Sequence, residues 1–224
     1  TESRTLKADD NVIAALDVVA SVVETHSLDL SDMKLTEVAM ISLITVLPNL
    51  DQLQTLNLSG NTLSDTSIHL LALSLERMTG LRSLKLSQTG LGRDGTHLVK
   101  ILSACHQLEQ LDLSDIQLGQ NGAVILSQCL KFMPRLRVLN LDGNSIGLEG
   151  IRSLAALLLR CTRLEELQLS HTSLGDEGTV ALSQCLTSLP NLRILNLEGN
   201  SIGVDGIRSI AAVLPMCSGL QEVN

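Results

Sequence analysis

One eleven-residue pattern returns at nearly constant spacing along the chain, and it decides most of what the chain can fold into. It reads LQTLNLSGNTL from Leu53, LRSLKLSQTGL from Leu81, LEQLDLSDIQL from Leu108 and LRVLNLDGNSI from Leu136. It continues as LEELQLSHTSL from Leu164 and LRILNLEGNSI from Leu192, and reaches LQEVN at Leu220. The starts lie ~28 residues apart, the Leu81 unit being one residue shorter. A unit of this size cannot bury its apolar face alone, so successive units must stack into one continuous core. The expectation is a single curved solenoid over residues 1–224. Val12, Ile13, Leu16, Val19, Ala20 and Val23 predict that 1–24 is the helix of an incomplete repeat. Residues 25–219 then hold about seven repeats, and 220–224 begin another.

Each unit predicts one strand and one helix. In LRVLNLDGNSIGLEGIRSLAALLLRCTR, Leu139 and Leu141 fall on one face of an alternating strand, with Val138 and Asn140 on the other. Asn144 stands where the chain leaves the strand, a place where a short amide can satisfy backbone groups. Gly147 and Gly150 then mark a turn, and Ile151, Leu154, Ala155 and Leu158 have helical spacing. The same Gly-x-x-Gly pair recurs at Gly92 and Gly95, Gly119 and Gly122, Gly175 and Gly178, and Gly203 and Gly206. Copies in register on an acidic chain point to turn geometry rather than a nucleic-acid clamp. The fold class is therefore α/β, with a parallel sheet on the concave side and helices on the convex side.

Composition agrees. There is no Trp, no Tyr and a single Phe, Phe132; thin identical layers leave no room for rings that a globular core would recruit. The net charge of −8 disfavours nucleic acid and anionic membranes as partners. No apolar run reaches the ~20 residues of a membrane-spanning helix. Cys129 and Cys185 share one phase, while Cys105, Cys161 and Cys217 each precede a strand-opening Leu by three residues. Same-phase thiols two layers apart stand beyond disulfide reach. Five reduced, mostly buried thiols are expected, which places the protein in the cytoplasm.

The repeats also alternate in kind. Residues 136–163 match 192–219, and 108–135 match 164–191, each at more than half of the positions. One kind carries Asn61, Asn144 and Asn200; the other carries Thr89, Ile116 and Thr172 in that place. The period is thus a pair, broken once where the Leu81 and Leu108 units, both of the second kind, adjoin. This alternation resembles the ribonuclease-inhibitor class of leucine-rich repeats, which also forms the receptor end of NOD-like innate immune receptors. The resemblance covers nearly the whole chain, and it implies the fold and a sensing or autoinhibitory role in a multidomain parent. Neither end reads as a polar capping unit, and the expectation is a piece of a larger protein.

No catalytic constellation is present. His26, His69, His97, His106 and His171 occupy different phases, and there is no nucleophile elbow, phosphate loop or zinc signature. No cofactor or metal is expected, and His171 reads as a solvated surface residue. The strand residues pointing away from the core carry the functional expectation. One column runs Asp29, Asn57, Lys85, Asp112, Asn140, Gln168, Asn196 and Asn224. The next runs Ser31, Ser59, Ser87, Ser114, Asp142, Ser170 and Glu198, with Asp32, Asp115, Glu166 and Glu222 beside them. They predict a polar, mildly acidic concave platform for a protein or peptide of basic character. Non-enzymatic recognition is the reading; the alternatives are a Ran-type GTPase-activating protein and a cytoskeletal or assembly scaffold.

Overall fold

The computed structural model describes residues 26–93 and 95–224; the helix expected at 12–23 lies outside them. Among the described residues eight short strands alternate with seven helices. The strands are β1 (Ser27–Asp29), β2 (Thr55–Asn57), β3 (Ser83–Lys85), β4 (Gln110–Asp112), β5 (Val138–Asn140), β6 (Glu166–Gln168), β7 (Ile194–Asn196) and β8 (Glu222–Val223). The helices are α1 (Glu37–Val46), α2 (Asp65–Leu75), α3 (Gly95–Leu102), α4 (Gln120–Cys129), α5 (Gly147–Leu158), α6 (Gly175–Leu186) and α7 (Val204–Val213). All neighbouring strands pair in parallel, in sequence order, as one open sheet. Strands spaced ~4.8 Å apart stack more tightly than helices at ~8–10 Å. The sheet is therefore the inner, concave wall.

Register follows the repeat. Leu28, Leu56, Leu84, Leu111, Leu139, Leu167 and Leu195 are cross-strand partners in one unbroken row. They are all fully or almost fully buried, as are Leu141 and Leu169 in the next row. On α5, Ile151, Leu154, Ala155 and Leu158 close the core, as their spacing predicts.

The Gly-x-x-Gly pairs serve two purposes, not one. Gly147 has φ +68° and Gly175 φ +58°, whereas Gly119 and Gly203 are extended. The second glycine lets helices approach: a Cβ on Gly150 would come within 2.8 Å of Ala123 and Ile146. At Gly203 and Gly206 the backbone amides donate to the Asp176 carboxylate at 2.7 and 2.9 Å. Asp176, from the preceding unit, thus caps the start of α7, where unpaired amides attract an anionic acceptor.

The alternation read from sequence is a pairing in space. Asn61, Asn144 and Asn200 are buried, and each reaches back into the preceding unit. The Asn144 amide donates to Leu141 O, Asp142 O and, across the layer, Leu113 O, while its oxygen accepts from Leu118 N at 2.9 Å. Asn200 does the same with Leu169 O, Thr172 N and Leu174 N, and Asn61 with Leu30 O and Leu35 N. The residue before each Asn is a left-handed glycine, Gly60, Gly143 or Gly199. A Cβ there would collide with Asp32, Asp115 or His171 respectively, from the preceding unit. The units therefore lock in twos: β1 with β2, β4 with β5, β6 with β7. The β3 unit is left over.

The seams between pairs lack this asparagine lock. Thr89 turns its hydroxyl onto its own unit, to Leu86 O at 2.6 Å, and Thr172 bonds Leu169 O of its own unit at 2.7 Å and, inside its pair, Asn200 Oδ1 at 3.0 Å. Among the described residues the loop of the β2 unit is held to Thr89 only by Leu63 N donating to Thr89 O at 3.5 Å. A cavity of about 500 Å³ opens there. At the β5/β6 seam a groove of about 390 Å³ runs between α5 and α6 on the convex side.

Candidate recognition surface

The strand register sets Asp29, Asn57, Lys85, Asp112, Asn140, Gln168 and Asn196 side by side across the inner wall. Their faces are exposed or half-buried. The column exists as predicted. What the sequence did not reveal is that most of it is engaged in the fold. Asp29, Asn57, Asp112, Asn140 and Asn196 each accept from the backbone amide two residues on, at 2.9–3.1 Å. These side chains fix the exit of each strand, the local bond that short Asx side chains make. The hydroxyl and amide of Ser31 also hold the Asp29 carboxyl below the usual range.

Four of the carboxylates expected to give the platform its charge, Asp112, Asp142, Glu166 and Glu198, fall into three columns. Asp112 lies in the central one and binds Ser114 through both amide and hydroxyl. Asp142 is half-buried and accepts from Ser170 N of the next unit at 2.6 Å, so it is not the free surface charge its place in the sequence suggests. Glu166 accepts from Gln168 at 2.8 Å. Glu198 is exposed, and no side-chain partner holds its carboxylate among the described residues. Lys85 stands between Asn57 and Asp112.

Two further features escaped the sequence reading. The residues just before the strands form a ladder of alternating charge: Arg82 lies 3.8 Å from Glu109, Arg137 lies 3.7 Å from Glu109, and Arg137 meets Glu165 bidentately at 2.8 and 2.9 Å. Arg137 holds the Glu165 carboxyl below its ordinary value. One lip of the concave wall is thereby neutralised. The alternation of Arg and Glu one residue after each strand-opening Leu was the available signal. The second feature is His171, whose ring is exposed yet covers Gly199; it is a packing element of a pair, not merely a solvated residue.

The cysteines behave as small apolar fillers. Cys105, Cys129, Cys161 and Cys185 are buried and Cys217 is half-buried, with every thiol free. Burial pushes the Cys105 and Cys185 thiols up to about 12 and Cys161 to about 11. Among the described residues no cluster of His, Cys, Asp and Glu is arranged to hold a metal ion, and no helix is long and apolar enough to cross a membrane.

Family models described as leucine-rich repeats match residues 52–73, 133–155, 160–183 and 188–211. No curated protein sequence matches the chain. Among solved structures, internalin C2 from Listeria monocytogenes superposes with a TM-score of 0.56 at 20% identity, covering 96% of this chain and 90% of that one. The leucine-rich repeat-containing protein LegL7 from Legionella pneumophila gives 0.47 at 19% identity, over 97% and 87%. With the matched segments falling on the observed strand–helix units, the chain carries leucine-rich repeats and has the open, parallel-stranded solenoid fold.

Proposed function

We propose that this chain is a non-enzymatic recognition domain that takes a basic protein or peptide on its concave sheet. The observation that carries the reading is the in-register polar wall of β4 to β7. It presents Asp112, Asn140, Asp142, Glu166, Gln168, Asn196 and Glu198 with no cation among them. Carboxylates held within a few ~4.8 Å strand spacings share one negative potential, and such a field speeds the approach of an opposite charge more than it slows departure. The wall lacks the aromatic and Arg anchors that concentrate binding energy, so affinity comes from breadth. The pairwise alternation of Asn and Thr units supports a finer reading, the sensor or autoinhibitory portion of a NOD-like receptor. Five unpaired thiols support a reducing, cytoplasmic setting.

The test is kinetic. Glu166→Lys with Glu198→Lys is preferred to any change at Asp142, whose carboxylate supports Ser170. Binding of an octalysine peptide by surface plasmon resonance should weaken chiefly through the on-rate, and more at low salt than at high salt. The control reverses two carboxylates of the helical side, Glu149→Lys with Asp205→Lys, and should change little. If the helical-side pair is the more damaging, the concave wall is not the binding surface.

A further inference from the structure

The β3 unit is the odd one in charge as well as in pairing. It carries Arg82, Lys85, Arg93 and Lys100 against one carboxylate in sequence, Asp94, inside a chain of net charge −8. It also lacks a partner in the lock that joins the other units. Gln88 has the left-handed backbone (φ +56°) of Asp32, Asp115 and His171. The next unit, however, offers Asp115 where the others offer glycine, so Gln88 has no glycine to cover and stays exposed. Leu91–Arg93 wind into a short turn of 3-10 helix, and the Asn that would tie the neighbouring loop is Thr89. The consequence is the cavity of about 500 Å³ at the β2/β3 seam, walled by Thr62, Asp65, Gln88, Arg93, His97 and Gln117 among others.

The cavity is equipped on one side for an anion. Arg93 Nε donates to Gln117 Oε1 at 2.7 Å. That bond orients the guanidinium and leaves both Nη groups without a partner among the described residues. Donation through Nε fixes the plane of the fork, which is the geometry that pairs with a carboxylate. The Gln88 and Gln117 amides add donors. On the far wall His97 Nε2 sits 3.5 Å from Asp65 Oδ1, so the cavity's carboxylate already has a neighbour. Lys85, on the same unit, is the cation in the central concave column, and places positive charge on the sheet beside this seam.

We infer that the seam cavity receives an acidic side chain of the same partner whose basic surface lies on β4 to β7, with Arg93 as the residue that holds its carboxylate. The inference rests on the recognition reading for its choice of a protein partner. It sets the partner's charge order: acidic at the β2/β3 end, basic toward β7. Electrostatics arranged this way fix register along a long surface more than they add affinity.

Two measurements separate this inference from the broader one. The first uses N-acetyl-glutamate amide as probe, with the ¹⁵N-labelled chain and no concave ligand. The Arg93 Nε–H and Gln88 side-chain amide resonances should shift and saturate. N-acetyl-glutamine amide should not move them, and Arg93→Gln should abolish the response while Arg93→Lys keeps part of it. Equal shifts by the glutamine probe, or an unchanged response in Arg93→Gln, would overturn the site. Inorganic phosphate is the arm for the other anion source, and saturation by phosphate in preference to the glutamyl probe overturns the choice of a carboxylate. The second compares an octalysine peptide extended at either end by Gly-Gly-Glu or Gly-Gly-Gln. Glu at one end should tighten binding about tenfold over Gln, and Arg93→Gln should erase that ratio while leaving octalysine unaffected. If octalysine fails to bind but the glutamyl probe still saturates, the recognition reading falls and the cavity stands. If octalysine binds with no Glu preference at either end, the seam cavity is not part of the surface.

Discussion

Within a tandem pair and across the seam between pairs, the backbone sheet is the same but the side-chain chemistry differs. Inside the β4/β5 pair the Asn144 amide makes four hydrogen bonds, two of them into the neighbouring layer, and Asp115 closes over Gly143. At the β2/β3 and β5/β6 seams a threonine, Thr89 or Thr172, stands where a bridging asparagine would reach back, and cavities of about 500 and 390 Å³ open. A repeat array behaves as a chain of nearest-neighbour interfaces, and here those interfaces come in two strengths. The asparagine bridges thus lie inside pairs, and the two widest cavities lie between them.

The largest test of this contrast compares the two residue types at one position. Asn144→Ala strands buried backbone groups in two units and should cost about 3–5 kcal/mol, since each buried unsatisfied group costs about 1–3 kcal/mol. Thr89→Val removes one hydroxyl bonded only to Leu86 O of its own unit and should cost about 1 kcal/mol. Urea denaturation that returned equal losses would break the distinction between pair and seam. Local opening should show it too. By hydrogen exchange, the Leu63 amide at the β2/β3 seam should exchange well before those of Leu118 and Leu174, which donate to Asn144 and Asn200 within pairs.

The thiols sharpen the comparison chemically. Cys185 borders the β5/β6 groove and Cys105 a smaller cavity at the β2/β3 seam. In native protein at pH 8, iodoacetamide should modify half-buried Cys217 first, then Cys185 and Cys105 through seam opening, and Cys161 last. Raising the pH acts on the same groups. Unfolded thiols ionise near 9.0, whereas burial keeps Cys105 and Cys185 protonated to about 12 and Cys161 to about 11. The folded state therefore binds more protons in that window, so stability is full below about pH 9 and declines as pH rises through it. A melting temperature that held steady or climbed from pH 9 to 11 would contradict the burial of these thiols.

Smaller effects belong to the concave wall. Asn140→Ala removes the acceptor for Asp142 N, 2.9 Å away, and should cost about 0.5–1.5 kcal/mol, more than the ±0.5 typical of a free surface site. Ser83 carries the one buried side-chain oxygen without a partner among the described residues. Ser83→Ala should be neutral, or stabilising by less than about 1 kcal/mol. A clear loss there would mean that its hydroxyl has a partner at the seam.

The sequence by itself determined the solenoid. Leu139 and Leu141 had to face inward, and Ile151, Leu154 and Leu158 had to close over them, because a two-residue period and a 3.6-residue period each leave one apolar face to bury. It also determined the columns, since a fixed repeat length puts like positions in register. It gave the alternation of Asn and Thr units as a pattern but not as a mechanism. Only the tertiary structure showed that Asn144 bonds 31 residues back to Leu113, that His171 covers Gly199 and that Asp176 caps α7. These contacts join residues about one repeat apart, and no local propensity encodes which neighbour a side chain will reach. The same holds for Asp142 and the Asx column: polar residues on an exposed strand face look identical in sequence whether they point to solvent or satisfy a backbone amide. The β3 cavity was decided in space as well, because a void is set by what two adjoining layers fail to fill.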